Sequence, residues 1–356
     1  MNPVGRLLLR TSAAVVLAAM LAAPGLCADA SAATSPPLMT YITDLDKPAP
    51  QVWVSGIGGA SPIDLGPASS ALISPNGSEV AAIAIQKAQA AKDWTLSLYS
   101  TAGGAPATIV QSVQFMQLLA WSPDSDLILV EIGASPAQLR VVDAATGAAR
   151  TIATGLIAGA SFAPDGTDRV VYARAAVNST RVNLYTTYST GAGTRQLTHD
   201  GLSEFPLWGS TGIVYSHETV RPKIDYPALQ LWFISPAGKD QRRLTDTPVA
   251  ANVEGLTPIA FSADGKHLLA NFIGPQGSDH AEAYAVDLSG SKPATPRDLT
   301  GQGNGDIGDA ISADGNTILL TDGIAGDATP SVETVPWAGG KPTPVIRQGA
   351  YASWDL

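Results

Sequence analysis

Apolar and polar residues alternate in short bursts along most of the chain, and the bursts repeat. A small or apolar residue, a large apolar residue, a tight turn and a β-rich run follow one another six times. The copies begin Leu72-Ile73-Ser74-Pro75-Asn76-Gly77, Ala120-Trp121-Ser122-Pro123-Asp124-Ser125, Ser161-Phe162-Ala163-Pro164-Asp165-Gly166, Leu207-Trp208-Gly209-Ser210-Thr211-Gly212, Ala260-Phe261-Ser262-Ala263-Asp264-Gly265 and Ala310-Ile311-Ser312-Ala313-Asp314-Gly315. The tetrads combine a residue preset for a turn, a capping carboxylate and a residue tolerant of positive φ, so each predicts a hairpin turn between strands. Between them lies a second hairpin, as at 139–142 before Thr146-Gly147 or 231–234 before Pro236-Ala237-Gly238. Two hairpins per period make a four-stranded unit, and the distance from Phe261 to Ile311 is typical of the roughly 40 to 50 residues of a propeller blade.

The ends of the chain complete the count. Residues 39–43 read as a second strand without a first, followed by an outer hairpin at 51–54 and 63–65. At the other end Ser353-Trp354 falls in register with Ala120-Trp121, so 351–356 read as a first strand without a second. Joining them predicts an all-β fold, a seven-bladed β-propeller of four-stranded antiparallel blades closed by one C-terminal and three N-terminal strands. Six blades with ragged ends are the alternative. Closure removes the edges that an open ring exposes.

Composition agrees with many short strands and tight turns. The 356 residues include 35 Gly and 26 Pro, and only 15% are charged, against about a quarter in an ordinary domain. That scarcity argues against a helical bundle, and a hydrophobic fraction of 45% argues against disorder. With 21 basic and 31 acidic residues and no basic cluster, nucleic-acid binding is excluded as an expectation.

The first thirty residues read as an address. Arg6 and Arg10 precede an apolar run over 11–23, Pro24-Gly25 breaks it, and Ala28-Asp29-Ala30 offers small residues to a signal peptidase, as in a secretory signal peptide. Its core is shorter than the about 20 residues of a membrane span. The expected division is a signal over 1–30, a short segment over 31–38 and the propeller over 39–356, the product being periplasmic or extracellular. Cys27 is the sole cysteine, and Leu26 before it suits lipidation poorly. Cleavage after Ala30 leaves no thiol for a disulfide, a nucleophile or zinc.

The run Arg195-Gln196-Leu197-Thr198-His199-Asp200-Gly201, then Pro206-Leu207-Trp208 and Ile213-Val214-Tyr215, is similar to the repeats of TolB-like β-propellers, as is Arg243-Leu244-Thr245 leading to Pro258 and Phe261-Ser262-Ala263-Asp264-Gly265. The resemblance covers nearly all of 39–356 and implies the fold. It implies little about function, because these positions are turns and core. TolB carries an α/β domain ahead of a six-bladed propeller, and only a short segment precedes the first strand here, so its role in the outer envelope of Gram-negative bacteria is not carried over. Similar propellers precede the catalytic domain of prolyl oligopeptidase-like peptidases, but this chain contains no Gly-x-Ser-x-Gly elbow.

Propeller sites usually lie on the face bearing the inter-blade loops. Mapped there, the longest loop is 216–228, with His199, Asp200 and Glu204 in the inter-blade loop before it, and with His280, Glu282, Asp306 and Asp309 in neighbouring loops. Imidazoles beside carboxylates suit a transition metal or a general base, which makes His199, His217 and Glu218 the candidates for chemistry. Polar residues also gather in exposed loops whatever their job. Tyr226, with Arg221 and Lys223, is the aromatic best placed for partner contact. Trp121, Phe162, Trp208, Phe261 and Trp354 share one repeat position and read as core. Gly301 to Asp309 reads as a loop, not a calcium site, and His267 has no assigned role. The expected function is that of an exported, monomeric, non-catalytic scaffold without cofactor or metal. It binds a protein or cell-envelope ligand through 199–204, 216–228 and 271–282. The alternative is a lyase or hydrolase acting on a carbohydrate or lactone.

Overall fold

A computed structural model of the chain describes residues 37–88, 91–219, 228–246, 255–273, 281–290, 292–301, 305–323 and 329–355. Among them every regular element is a strand. Antiparallel pairing sorts the strands into seven four-stranded units, here numbered as blades and given from first to fourth strand. Blade 1 is Ala350–Trp354, Leu38–Thr43, Gln51–Gly56 and Ala60–Pro67. Blade 2 is Ser70–Ile73, Glu79–Ala88, Ala91–Ser100 and Ala107–Ser112. Blade 3 is Met116–Trp121, Leu127–Ile132, Ala137–Asp143 and the first half of Ala149–Phe162. Blade 4 takes the second half of that strand, then Arg169–Ala175, Asn183–Tyr188 and Arg195–Gln196. Blade 5 is Ser203–Gly209, Gly212–Thr219, Ala228–Ile234 and Arg242–Arg243. Blade 6 is Gly255–Phe261, His267–Ile273, Ala281–Asp287 and Arg297–Asp298. Blade 7 is Ile307–Ile311, Thr317–Asp322, Ser331–Pro336 and Thr343–Ile346.

The first strands touch their neighbours in a closed cycle that runs from blade 1 through blade 7 and back. This is an all-β propeller. Its core is divided among the blade boundaries. Leu72, Ile83 and Leu96 of blade 2 pack on Trp121 and Ile128 of blade 3, and Met39 and Trp354 of blade 1 pack on Leu319 and Val332 of blade 7. Each such side chain contributes about 1.5–3 kcal/mol by leaving water, and the sum is spread around the ring.

Blades 3 and 4 share one strand, and Gly155 is where it changes partners. Ala137 pairs with Gly155, while the next residue, Leu156, pairs with Ala175. The backbone there has φ of 149°, and a Cβ would lie 2.3 Å from the Ala175 carbonyl oxygen. Only glycine fits.

The recurrent turn is a small hydrogen-bonded machine. Ser122 Oγ donates to Asp124 Oδ1 at 2.5 Å and accepts the Leu127 N–H at 2.9 Å, while Asp124 Oδ1 accepts the Asp126 N–H at 3.2 Å. Ser262, Asp264 and His267 repeat the pattern at 2.7 and 3.0 Å. The fourth residue is left-handed, with φ of 69° at Gly77, 68° at Gly265 and 70° at Gly315. The tetrads are thus Asx-type turns that fix where the second strand starts.

Blade 1 closes the ring from both ends of the chain. Met39 pairs with Trp354, the Leu38 N–H donates to Asp355 Oδ1 at 2.6 Å, and the Asp355 N–H returns to the Leu38 carbonyl at 3.1 Å. Ser353 Oγ accepts the Ile73 N–H at 3.1 Å and so ties blade 1 to blade 2. Blade 1 therefore consists of one C-terminal and three N-terminal strands.

A second regular position lies three residues after the partner of the large apolar residue on each second strand. There Ser216 Oγ donates to the Leu256 carbonyl of the next blade at 2.8 Å, and Asn271 exchanges two bonds with Gly308 at 3.0 and 2.7 Å. Thr321 Oγ accepts the Tyr351 N–H at 2.8 Å. Blade 3 places Glu131 at this position, 6% exposed, where burial pushes its carboxyl up to about 8.

Candidate functional site

Antiparallel order puts the connections from second to third strand, and from each blade to the next, on one face of the ring. The hairpin turns lie on the other. The rim residues expected from sequence belong to the first of these, the loop face. Arg221, Lys223, Tyr226 and His280 lie outside the described residues.

In blade 5 the strand Gly212–Thr219 ends at this face and carries His217. The loop out of blade 4 brings Asp200 over it, so that His217 Nε2 lies 3.0 Å from Asp200 Oδ2. The rest of the loop holds Asp200 in place. Its Oδ1 accepts the Leu202 N–H at 3.1 Å and the Ser203 hydroxyl at 3.3 Å. Burial opposes the charge on Asp200, but the bond from His217, the Leu202 N–H, the charge of His217 and the Ser203 hydroxyl outweigh it and lower its pKa. The imidazole packs beside Trp232, ring centroids 4.6 Å apart, and edge-on to Tyr215 at 6.3 Å. Its Nδ1 is buried without a hydrogen-bond partner, and so is Trp232 Nε1. The result is an oriented imidazole–carboxylate pair with one ring nitrogen uncommitted.

Strand geometry then separates the residues that the sequence placed together. Ser203 stands opposite His217 and Glu204 opposite Ser216, and side chains at neighbouring positions point to opposite faces of a sheet. His217 accordingly faces blade 4, whereas Glu204 and Ser216 face blade 6. Glu204 is not a loop residue as expected; it lies in the first strand and is only 3% exposed. Glu218 is two residues from Ser216, shares its side, and donates its N–H to the Leu202 carbonyl at 2.8 Å. His199 stands exposed beside Asp200. No three His, Cys, Asp or Glu side chains among the described residues are grouped to hold a metal ion.

Asp306 and Asp309 also depart from the sequence reading. Both are buried, and Asp309 lies inside the first strand of blade 7 instead of in a loop. His267, left without a role, stacks on Trp337 at 4.2 Å, and its Nδ1 lies 3.1 Å from the Gly315 carbonyl. It is a joint between blades 6 and 7.

The loop face carries a second feature that the periodicity did not reveal. Val113 and Phe115, in the loop from blade 2 to blade 3, are 74% and 41% exposed, and Phe115 packs edge-on against Trp94 at 5.0 Å. Ile85 stands opposite Trp94 on the same blade and is exposed. Val177, in the loop between the second and third strands of blade 4, is exposed as well. These residues sit off the repeat positions, where the periodicity carries no signal.

This ring of short antiparallel blades has counterparts of the same fold among solved structures. TolB from Acinetobacter baumannii matches at 15% identity and a TM-score of 0.50, over 90% of this chain and 66% of that one. The fold is that of a TolB-like β-propeller. One of two prolyl endopeptidases, analysed for the role of inter-domain dynamics in catalysis and specificity, matches at 14% identity and a TM-score of 0.62 over 90% of this chain. An oligogalacturonate lyase in complex with manganese matches at 14% and 0.53, over 88% of this chain and 85% of the lyase. The chain spans just under two thirds of the TolB and half of the prolyl endopeptidase. Its sequence matches no family model and no curated protein. Such distant likenesses establish architecture, and the architecture serves binding proteins and enzymes alike. No helix among the described residues is long and apolar enough to cross a membrane.

Proposed function

We propose that this chain is an exported, non-catalytic propeller scaffold that binds a protein or cell-envelope ligand through its loop face. The observation that carries the reading is the exposed apolar corner of that face, where Phe115 and Ile85 flank the half-buried Trp94 and Val113 stands exposed in the same loop as Phe115. Apolar side chains rimmed by polar ones mark interaction sites, and aromatic anchors carry most of the binding energy at such sites. The polar hydrogen bonds of the repeat are, in contrast, consumed within the turns and in holding blade to blade. The scaffold works as a monomer without a cofactor. A photo-reactive residue at position 113 in cells tests this: a discrete cross-linked species is expected there and not from position 188 on the opposite face. Equal labelling from both faces, or none, overturns the reading.

A second reading rests on the Asp200–His217 pair. An imidazole oriented by a carboxylate, with its other nitrogen buried and unbonded, resembles the arrangement that general acid–base catalysis uses, which favours a lyase or hydrolase acting on a carbohydrate or lactone. A stoichiometric transition metal in the purified protein, lost on His217→Ala, supports this reading. Equal metal content in both proteins counts against it.

A further inference from the structure

The closing strand of the ring is fastened to blade 7 through a carboxyl group. Asp309 is 2% exposed. Its Oδ2 accepts the Thr321 hydroxyl at 2.5 Å and the Ala352 N–H at 3.2 Å, while Thr321 Oγ accepts the Tyr351 N–H at 2.8 Å. Two successive amides of Ala350–Trp354 are thus held by an Asp–Thr pair on the neighbouring blade. Each of these bonds leaves Oδ2 an acceptor, so the pair can be formed with Asp309 in its neutral acid form.

Among the described residues the groups around this corner offer no cation. The strand's own approach carries Asp306, a buried carboxyl whose pKa is raised by burial and by Asp322 at the end of Thr317–Asp322. The third strand carries Glu333, bonded by the Ser331 hydroxyl at 3.1 Å, but its pairing with Leu320 turns it to the blade 6 side of the sheet. The closing strand brings Tyr351, whose hydroxyl feels Asp309, and the second strand of blade 1 brings Tyr41, while Glu282 of blade 6 is bonded by the Tyr284 hydroxyl at 2.7 Å. His267 of blade 6 is held at the opposite end by Gly315, and Arg347, in the loop that enters the closing strand, is exposed. A carboxylate formed at Asp309 is therefore shut off from water and has no counter-charge among the described residues.

We propose that Asp309 makes the clasp of this ring pH-sensitive: the neutral acid holds the closing strand, and ionisation loosens it, so the ring is sealed more tightly in mildly acidic than in mildly alkaline surroundings. The direct way for water to reach the charged group is to lift the strand that covers it. Burial, only partly offset by the Thr321 hydroxyl and the Ala352 N–H, pushes the carboxyl up to about 7. The unfolded group ionises near 3.8, so this contribution is fully present below that pH and is lost as the pH rises through about 7.

Amide hydrogen exchange of 350–355, corrected for the intrinsic pH dependence and referred to Arg169–Ala175 of blade 4, reads the clasp directly. Between pH 5.5 and 8.5 the protection of Tyr351 and Ala352 is expected to fall on the order of tenfold to a hundredfold in the wild type. The fall should be much smaller in Asp309→Asn, which keeps an acceptor for both donors. Protection that follows the reference strand at every pH, or an Asp309→Asn profile identical to the wild type, overturns the proposal. A carbon-13 titration of the wild-type Asp309 carboxyl gives an answer even if the variant does not fold: a midpoint below about 5 also overturns it.

Discussion

The indole N–H of Trp121 donates to the Leu72 carbonyl at 3.0 Å, joining the first strands of blades 2 and 3. Trp354 fills the same repeat position and is equally buried, but its indole N–H has no partner. Replacing either by Phe removes similar volume. Only Trp121→Phe also leaves a buried carbonyl without its donor. Trp121→Phe is expected to cost about 1–2 kcal/mol more than Trp354→Phe, measured as the difference in urea unfolding free energy.

Ser125 occupies the left-handed turn position that its counterparts fill with glycine, with φ of 67°, and its hydroxyl accepts the Asn76 N–H at 3.1 Å across the blade boundary. Two effects oppose one another here. Ser125→Gly relieves about 1 kcal/mol of backbone strain and loses a hydrogen bond of similar worth, so it should be close to neutral. Ser125→Ala keeps the strain and loses the bond, and should cost about 1 kcal/mol. Thermal unfolding of the two variants side by side checks the difference.

Removal of residues 350–356 strips the first strand from blade 1. The loss covers the pairing with Leu38–Thr43, the Asp355 bonds to Leu38, and the burial of Ala352 and Trp354. A loss of more than about 4 kcal/mol is expected. A melting temperature equal to that of the full chain would show that this strand does not seal the ring.

Glu131 gives a pH dependence of its own. Folded, it keeps its proton to about 8, and its unfolded value is 4.5. The stability that depends on the neutral form is fully present below about 4.5 and is lost as the pH rises through about 8, on the order of a few kcal/mol in all. Glu131→Gln should therefore unfold at higher denaturant than the wild type at pH 9, with little difference at pH 5. It should leave the protection of Tyr351 and Ala352 relative to a distant strand unchanged.

The architecture was legible because its rules are local. Asp124, Asp264 and Asp314 mark turns by binding backbone within a few residues, and Trp121 or Phe261 marks the inner strand by size alone. Even the closing strand could be read, since Ser353-Trp354 repeats the inner-strand signature. The site was less legible, because its geometry depends on which way a strand faces. Glu204 and His217 both belong to the loop face in sequence terms, but pairing of Ser203 with His217 turns them to opposite sides of blade 5. Asp309 was read as a loop residue because Gly301 to Gly308 resembles one; that it lies within a buried strand follows from the partner it meets in Ala352, more than forty residues on. Phe115 and Val113 had no periodicity to reveal them.

Leu38 and Asp355, which bond to each other, lie 317 residues apart. A chain that emerges from its amino end must present Leu38–Thr43, with Met39, Tyr41 and Ile42, as an unpaired apolar edge for as long as the remaining blades are being made. Such an edge is a template for pairing with other chains, and closing so long a loop is slow. Blades 2 to 6 can pack as their own sequences arrive, but the boundary between blades 7 and 1 waits for the last strand, which makes that unfinished edge the natural point for a holding factor to act or for aggregation to begin.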